Sequence, residues 1–305
     1  MVGVGLNATD TMIRLPHHPA LGSKVEFRSA DVLPGGQVAT ALAACQQWGL
    51  RTRYVGKIGE DSAAALHRAE FERLGVETHL ITAPGCASQQ AVILVDDAGE
   101  RTVLWKRDNG LTLQPDELKP EWITDARALH VDGHDTAAAV VAAGWARAAG
   151  IPTIADLDDL YPGVEALLDK IDYLITSRDI PGRVTGDSDL LQSLPAVRRQ
   201  YGCRLTAATL GQEGVLAWDG SQFHYAPAFR VKPVDTTGAG DIFHAGFIYG
   251  LLQGWPLSRQ LDFACAAAAL NCTAAGARGG IQPVKAIEVL ITTAERHALA
   301  FNVST

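Results

Sequence analysis

A chain of 305 residues with 47% hydrophobic and only 20% charged side chains can bury a sizeable core, which excludes global disorder and suits one large α/β domain or two small ones. Its net charge of -8, with no block of Lys and Arg, excludes a nucleic-acid scaffold, although a local nest of amides can bind phosphate on an acidic protein. The cysteines, at 45, 86, 203, 265 and 272, are odd in number and lack C-x-x-C spacing, which argues against a disulfide framework or a zinc site. Cys45, Cys265 and Cys272 sit in Ala-rich stretches and read as small buried hydrophobes. No basic region precedes a long apolar run at the N-terminus, and the Ala-rich run 263–270 is too short to span a bilayer. A cytoplasmic protein with no membrane partner is expected.

In chain order, residues 2–6 read as a short buried strand. Residues 11–34 carry Pro16, Pro19 and Pro34 and alternating pieces such as Lys24-Val25-Glu26-Phe27-Arg28, the pattern of an exposed hairpin with His17 and His18 at its surface. Gly35-Gly36 opens an Ala-rich helix to about Trp48, stopped by Gly49. A strand at 54–58 and a helix at 61–74, closed by Gly75, follow. Residues 90–96 and 101–106, joined through Asp97-Ala98-Gly99-Glu100, predict a second hairpin. Strands and helices then alternate: 129–131 and 136–149, 153–155 and 164–170, 173–175 and 188–201. That alternation predicts right-handed βαβ units on a parallel sheet. Strands at 205–210 and 214–218 and helices at 239–253, 258–275 and 284–298 complete the chain. The hairpin blocks at about 11–34 and 87–108 are expected to pair as one lid over the carboxyl ends of the main strands, where open α/β sheets bind ligands.

The chemistry concentrates in Asp235-Thr236-Thr237-Gly238-Ala239-Gly240-Asp241, followed by Ile242-Phe243-His244-Ala245-Gly246. A glycine-bearing turn that opens a helix presents unpaired N–H groups to an anion. A carboxylate there is electrostatically awkward unless it has a task. Asp241 placed between a phosphate and a hydroxyl would take the hydroxyl proton while the Gly238, Ala239 and Gly240 amides hold the developing charge, which is phosphoryl transfer.

This stretch matches every position of the DTxGAGD-x-F-x-x-G signature and resembles the ribokinase-like sugar kinases, the PfkB family, along essentially the whole chain. The resemblance implies a three-layer α/β/α sandwich with a mostly parallel sheet, a β-sheet lid, ATP and Mg²⁺ as cofactors, a sugar acceptor, and a homodimer formed through the lid. In such proteins an Asp placed like Asp10 binds the acceptor. Gly35-Gly36-Gln37-Val38-Ala39-Thr40 resembles the first signature, GG-x-x-A-N, with Thr40 in place of the Asn, as in the branch that includes sulfofructose kinases. An anionic acceptor group would want a fixed cation; Lys106 and Arg107 are either such partners or solvated lid charge. Thr209-Leu210-Gly211-Gln212-Glu213-Gly214 resembles the T-x-G-x-x-G loop beside ATP, which carries over Thr209, Gly211 and Gly214. The segment 274–280, with Ala274 and Gly276, resembles the loop over adenine. In ribokinase that loop helps hold a monovalent cation near the start of the signature, which would bring potassium to Asp235 and Thr237. The N-x-x-E element that organises Mg²⁺ in many relatives is replaced by Ser177-Arg178-Asp179-Ile180, leaving the metal on ATP with water, aided by Asp179 or Asp235.

His130-Val131-Asp132-Gly133-His134-Asp135 looks like a metal box, but a strand end at a ligand-facing edge collects polar residues anyway; His134 or Asp132 would then contact substrate. Asp156 and Asp158 end the next strand and read as turn solvation. The favoured activity is ATP-dependent phosphorylation of a hydroxymethyl group of a small sugar. The alternatives are a nucleoside kinase, for which the lid offers only Phe27 and Trp105, a weakly catalytic sugar or nucleotide sensor, and a metallohydrolase on the His130–Asp135 cluster.

Overall fold

The computed structural model describes residues 1–98 and 100–301. In chain order the strands are β1 (Val2–Val4), β2 (Ala8–Arg14), β3 (Ser29–Gly35), β4 (Arg53–Ile58), β5 (Glu77–Thr82), β6 (Gln90–Val95), β7 (Arg101–Lys106), β8 (Leu129–Asp132), β9 (Thr153–Leu157), β10 (Tyr173–Ser177), β11 (Leu205–Thr209), β12 (Val215–Trp218) and β13 (Phe223–Ala226). The helices are α1 (Gln37–Gln47), α2 (Ser62–Leu74), α3 (Thr136–Ala148), α4 (Val164–Leu168), α5 (Ile180–Thr185), α6 (Leu190–Tyr201), α7 (Ala239–Leu252), α8 (Leu257–Asn271) and α9 (Val284–Thr293).

Nine strands form the central sheet in the order β13-β12-β11-β10-β9-β8-β1-β4-β5, parallel from β11 to β5 and antiparallel at β11-β12-β13. The apolar side chains of α1, α7, α8 and α9 pack on one face and those of α3, α4 and α6 on the other, giving three layers. The chain winds one way from β1 through β4 to β5 and the other way from β8 onward. The order therefore switches between β1 and β8, where the carboxyl ends of parallel strands leave a crevice for ligand.

The hairpin blocks pair as expected into a four-stranded sheet, β3-β2-β6-β7, in which β2 and β6 run parallel. Its own core is small, centred on Met12, Ile93 and Val95, and every residue of β7 is exposed. Gly99, in the expected turn, lies outside the described residues.

Several boundaries differ from the sequence reading. Residues 24–28 form no strand, and β3 begins at Ser29. Edge strands β5 and β13 and the short α5 were not expected. Their mixed polarity carries no clear period; pairing with β4 and β12 makes the two strands. The last helix stops at Thr293 rather than 298, because Arg296 turns back to bridge Phe229, stack its guanidinium 4.0 Å from that ring and pair with Asp262 at 2.7 Å. Cys45 and Cys265 are buried as expected, whereas Cys272 is only half-buried.

Candidate active site

The 235–241 turn is built as its residues dictate. Gly238 caps α7 with φ 75°, a left-handed conformation, and a Cβ there would stand 2.5 Å from the Ala277 carbonyl oxygen. Ala239 N–H donates to Thr236 O at 3.3 Å, while the Gly238, Gly240 and Asp241 amides have no partner among the described residues. Asp235 clamps the turn: its Oδ1 accepts from Thr237 N at 2.9 Å and Thr237 Oγ1 at 2.7 Å, and its Oδ2 from Gly276 N at 2.7 Å. Asn271, fully buried at the end of α8, donates to Thr237 O at 3.3 Å and Ala277 O at 3.0 Å, and accepts from Gly280 N at 3.2 Å. Asn271 thereby ties the signature turn to the 274–280 loop. An Asn closing the Ala-rich run of α8 was its only trace in the sequence.

Asp241 sits in the first turn of α7. Desolvation, then the neighbouring Asp156, with smaller pushes from Asp10 and Asp158 and an opposing pull from His244, raises its carboxyl to about 8. Asp10, on β2, is 8% exposed and accepts no hydrogen bond from the described residues. Burial, opposed by Arg278 and reinforced by Asp235, lifts it to about 6. Both carboxyls therefore offer oxygen atoms that the protein leaves unused.

Arg278 was missed, although a lone charge among glycines and alanines marked it. It reaches from the 274–280 loop to the β3–α1 junction, donating from Nε to Thr40 Oγ1 at 3.2 Å and from Nη2 to Gly35 O at 2.9 Å. Thr40 is fully buried beneath it and reaches the site through that guanidinium. Gly36 takes φ 93° at the start of α1. From the lid, Arg101 Nη1 donates to Thr236 Oγ1 at 3.2 Å and so touches the signature turn.

Beside this turn lies a cleft of about 340 Å³, lined mainly by apolar groups that include Phe229, Val231, Phe243 and Ala268. Thr209, Gly211, Gly214, Ala239 and Gly240 line it as well, as does the half-buried Cys272. Ala274 and Gly276 lie in the loop alongside.

Other expected groups are already engaged. Arg107 is not a free lid cation: its Nη2 pairs with buried Asp135 at 2.5 Å and donates to Leu111 O at 3.2 Å, and its Nη1 donates to His134 O at 3.3 Å. Lys106 stays exposed at the end of β7. His134 Nε2 lies 3.0 Å from Tyr161 Oη, which donates to Asp158 at 3.0 Å. Asp132 accepts from Leu6 N at 2.7 Å and His134 N at 3.0 Å, a structural clamp between β1 and β8.

No group of three metal-ligating side chains occurs among the described residues. Ile180 is buried and Asp179 pairs with Arg183 at 3.2 Å, so the 177–180 segment builds no magnesium cage. Magnesium would come in on the nucleotide, with water completing its shell. At the expected potassium site both Asp235 oxygens already accept from protein donors, and the Asn271 amide spans the facing carbonyls.

The family model described as pfkB family carbohydrate kinase matches residues 8–284. The chain belongs to the pfkB family of carbohydrate kinases. The kinase is 30% identical over 277 residues to an ATP-dependent ribose-1-phosphate kinase of Halopiger xanaduensis, covering 88% of this chain and 90% of that protein. A ribokinase of Bacillus subtilis is 26% identical over 95% of this chain and 98% of its own. The kinase shares its ribokinase-like fold with the Arabidopsis thaliana ribokinase structure complexed with ribose and ATP, with a TM-score of 0.82 and 24% identity over 95% of this chain and 97% of that one.

Proposed function

We propose that the kinase transfers the terminal phosphoryl group of ATP to a hydroxymethyl group of a small sugar, with Asp241 as general base. The observation that carries this reading is the combination at the start of α7: a carboxyl raised to about 8 and three amides without partners, with Ala239 and Gly240 lining the cleft and Asp10 near enough to push on Asp241. A base of high proton affinity is suited to taking a hydroxyl proton as the oxygen–phosphorus bond forms. The proton goes to Asp241 while the bond from phosphorus to the leaving oxygen of ADP breaks. Of the amides expected to hold the charge, Ala239 N–H is taken by Thr236 O, so the Gly238, Gly240 and Asp241 amides would hold the charge on the transferred group. The apolar cleft would take the adenine, with Thr209, Gly211 and Gly214 against the nucleotide. Magnesium arriving with the nucleotide would neutralise phosphate charge, while the chain's own residues would position and deprotonate the acceptor.

Asp10 and the Gly35–Gly36 turn would hold acceptor hydroxyls, and the four-stranded sheet would close over them as a lid of a single 1–305 domain. The exposed Val32, Val103, Leu104 and Trp105 suit a second copy docked through that lid. Potassium held near Asp235 and Thr237 would raise turnover above that in sodium, and equal rates in potassium and sodium chloride would remove it.

The test is ADP release with Mg·ATP across pentoses, hexoses, sugar phosphates, sugar acids, sulfosugars and nucleosides, with Asp241→Asn as control. Acceptor-dependent release lost in the variant is the expected result. A nucleoside as best acceptor would overturn the sugar assignment, and near-normal release by the variant would overturn the base assignment.

A further inference from the structure

Beneath the signature turn lies a polar cluster inside an otherwise apolar layer. On β8, His130 and Asp132 stand in register with Ile154 and Asp156 of β9, and Asp156 with Ile175 of β10. His244, in the second turn of α7, faces this row and is 2% exposed. Its Nδ1 lies 2.8 Å from Gly240 O and 3.3 Å from Asp156 Oδ2, its Nε2 lies 3.3 Å from Ile175 O, and its ring stacks 5.7 Å from that of His130. Both ring nitrogens face carbonyl oxygens, which only accept; Nδ1 has the shorter contact and a second oxygen beside it, so the proton of the neutral ring sits on Nδ1 and is donated to Gly240 O. Asp156 Oδ2 is buried with no hydrogen-bond partner of its own among the described residues, and at 3.3 Å it is the side-chain oxygen that stands beside that N–H.

The Gly240 carbonyl belongs to the same peptide as the Asp241 amide, one of those left without a partner at the mouth of α7. Hydrogen bonding at one end of a peptide polarises it and strengthens the donor at the other. Holding that carbonyl also fixes where the amide points. Carboxylates commonly orient an imidazole from behind in this way, selecting its tautomer.

We propose that His244, oriented by Asp156, is a positioning residue for phosphoryl transfer: it anchors and polarises the Gly240–Asp241 peptide so that its N–H is aimed at the transferred group. The inference rests on the kinase reading above. It explains a histidine inside the apolar run of α7 and a buried carboxylate at the end of β9, neither of which touches the reacting atoms. Removing an anion-hole donor costs roughly 10²–10³ in turnover, so misaiming one is expected to cost about 10- to 100-fold.

The experiment compares His244→Asn with His244→Leu. The Asn amide can replace Nδ1–H, whereas Leu fills the space without a donor. His244→Leu should lose about 10- to 100-fold in kcat, with KM for ATP and acceptor within about threefold of wild type, and His244→Asn should recover most of the loss. Normal kcat in His244→Leu would overturn the proposal. So would equal losses in both variants, or KM rising along with the fall in kcat. Should the Leu variant fail to fold, nitrogen NMR of histidine-labelled wild-type protein decides, since a bare Nδ1 on His244 at neutral pH would overturn the assignment. Asp241→Asn in the same assay separates the two levels. A dead Asp241→Asn beside a normal His244→Leu sinks only this inference, and a wild type inactive on every acceptor sinks the kinase reading.

Discussion

The carboxyl edge of the central sheet and the four-stranded sheet beside it are built to different standards. At the edge, Asp132, Asp235 and Asn271 make hydrogen bonds that join separate elements, and beside them the Gly238, Gly240 and Asp241 amides have no partner among the described residues. In the four-stranded sheet a core of three buried residues supports an edge strand exposed along its whole length. Rigid, over-determined backbone is what phosphoryl transfer needs, because the donors must be aimed before charge develops. A sheet with little core of its own suits a part that moves or is completed by a ligand or a second copy.

The largest effect should come from the rigid edge. Asp241→Asn is expected to fold and keep nucleotide affinity but lower turnover by roughly 10²-fold or more. Because Asp241 is raised to about 8, kcat/KM should climb with pH and level off above that value. The same shift has a sign for stability. Between about pH 4 and 8 the folded state holds a proton that the unfolded chain has lost, so the unliganded protein should melt at lower temperature as pH rises through that window. Asp241→Asn should flatten that slope; an unchanged slope would contradict the raised carboxyl.

The junction of the two regions comes next. Arg107→Ala leaves Asp135 buried without its cation and should cost roughly 3–5 kcal/mol in urea unfolding. A loss under about 1 kcal/mol would mean that the ion pair behaves as a surface pair. Asp10→Ala should raise the acceptor KM by about tenfold or more, the scale of a hydrogen bond to a charged group, while ATP affinity holds. An unchanged KM would remove Asp10 from the acceptor site. Least is expected of Trp105→Asp, which should convert a dimer to a monomer in light scattering while kcat stays within about twofold. A wild-type monomer would leave the exposed lid strand without the partner proposed for it.

Local signals reached far in this chain. The glycines at 36, 49, 75 and 238 punctuate elements where left-handed backbone is required, the alternating strand and helix pattern implies the parallel sheet, and the signature from Asp235 to Gly246 marks the proposed base and the turn before it, because each depends on neighbours within a few residues. Tertiary structure alone decided what depends on distant partners. Edge strands β5 and β13 exist through pairing rather than through their own periodicity. Arg107 looked like a solvated lid charge until Asp135, 28 residues away, took its guanidinium. Thr40 proved to support Arg278, which lies 238 residues further along. The contact of His244 with Asp156 likewise joins α7 to β9 across the core. A residue type announces which bonds it can make; only the packing of remote segments in a desolvated interior determines which bonds are made and which atoms are left for chemistry.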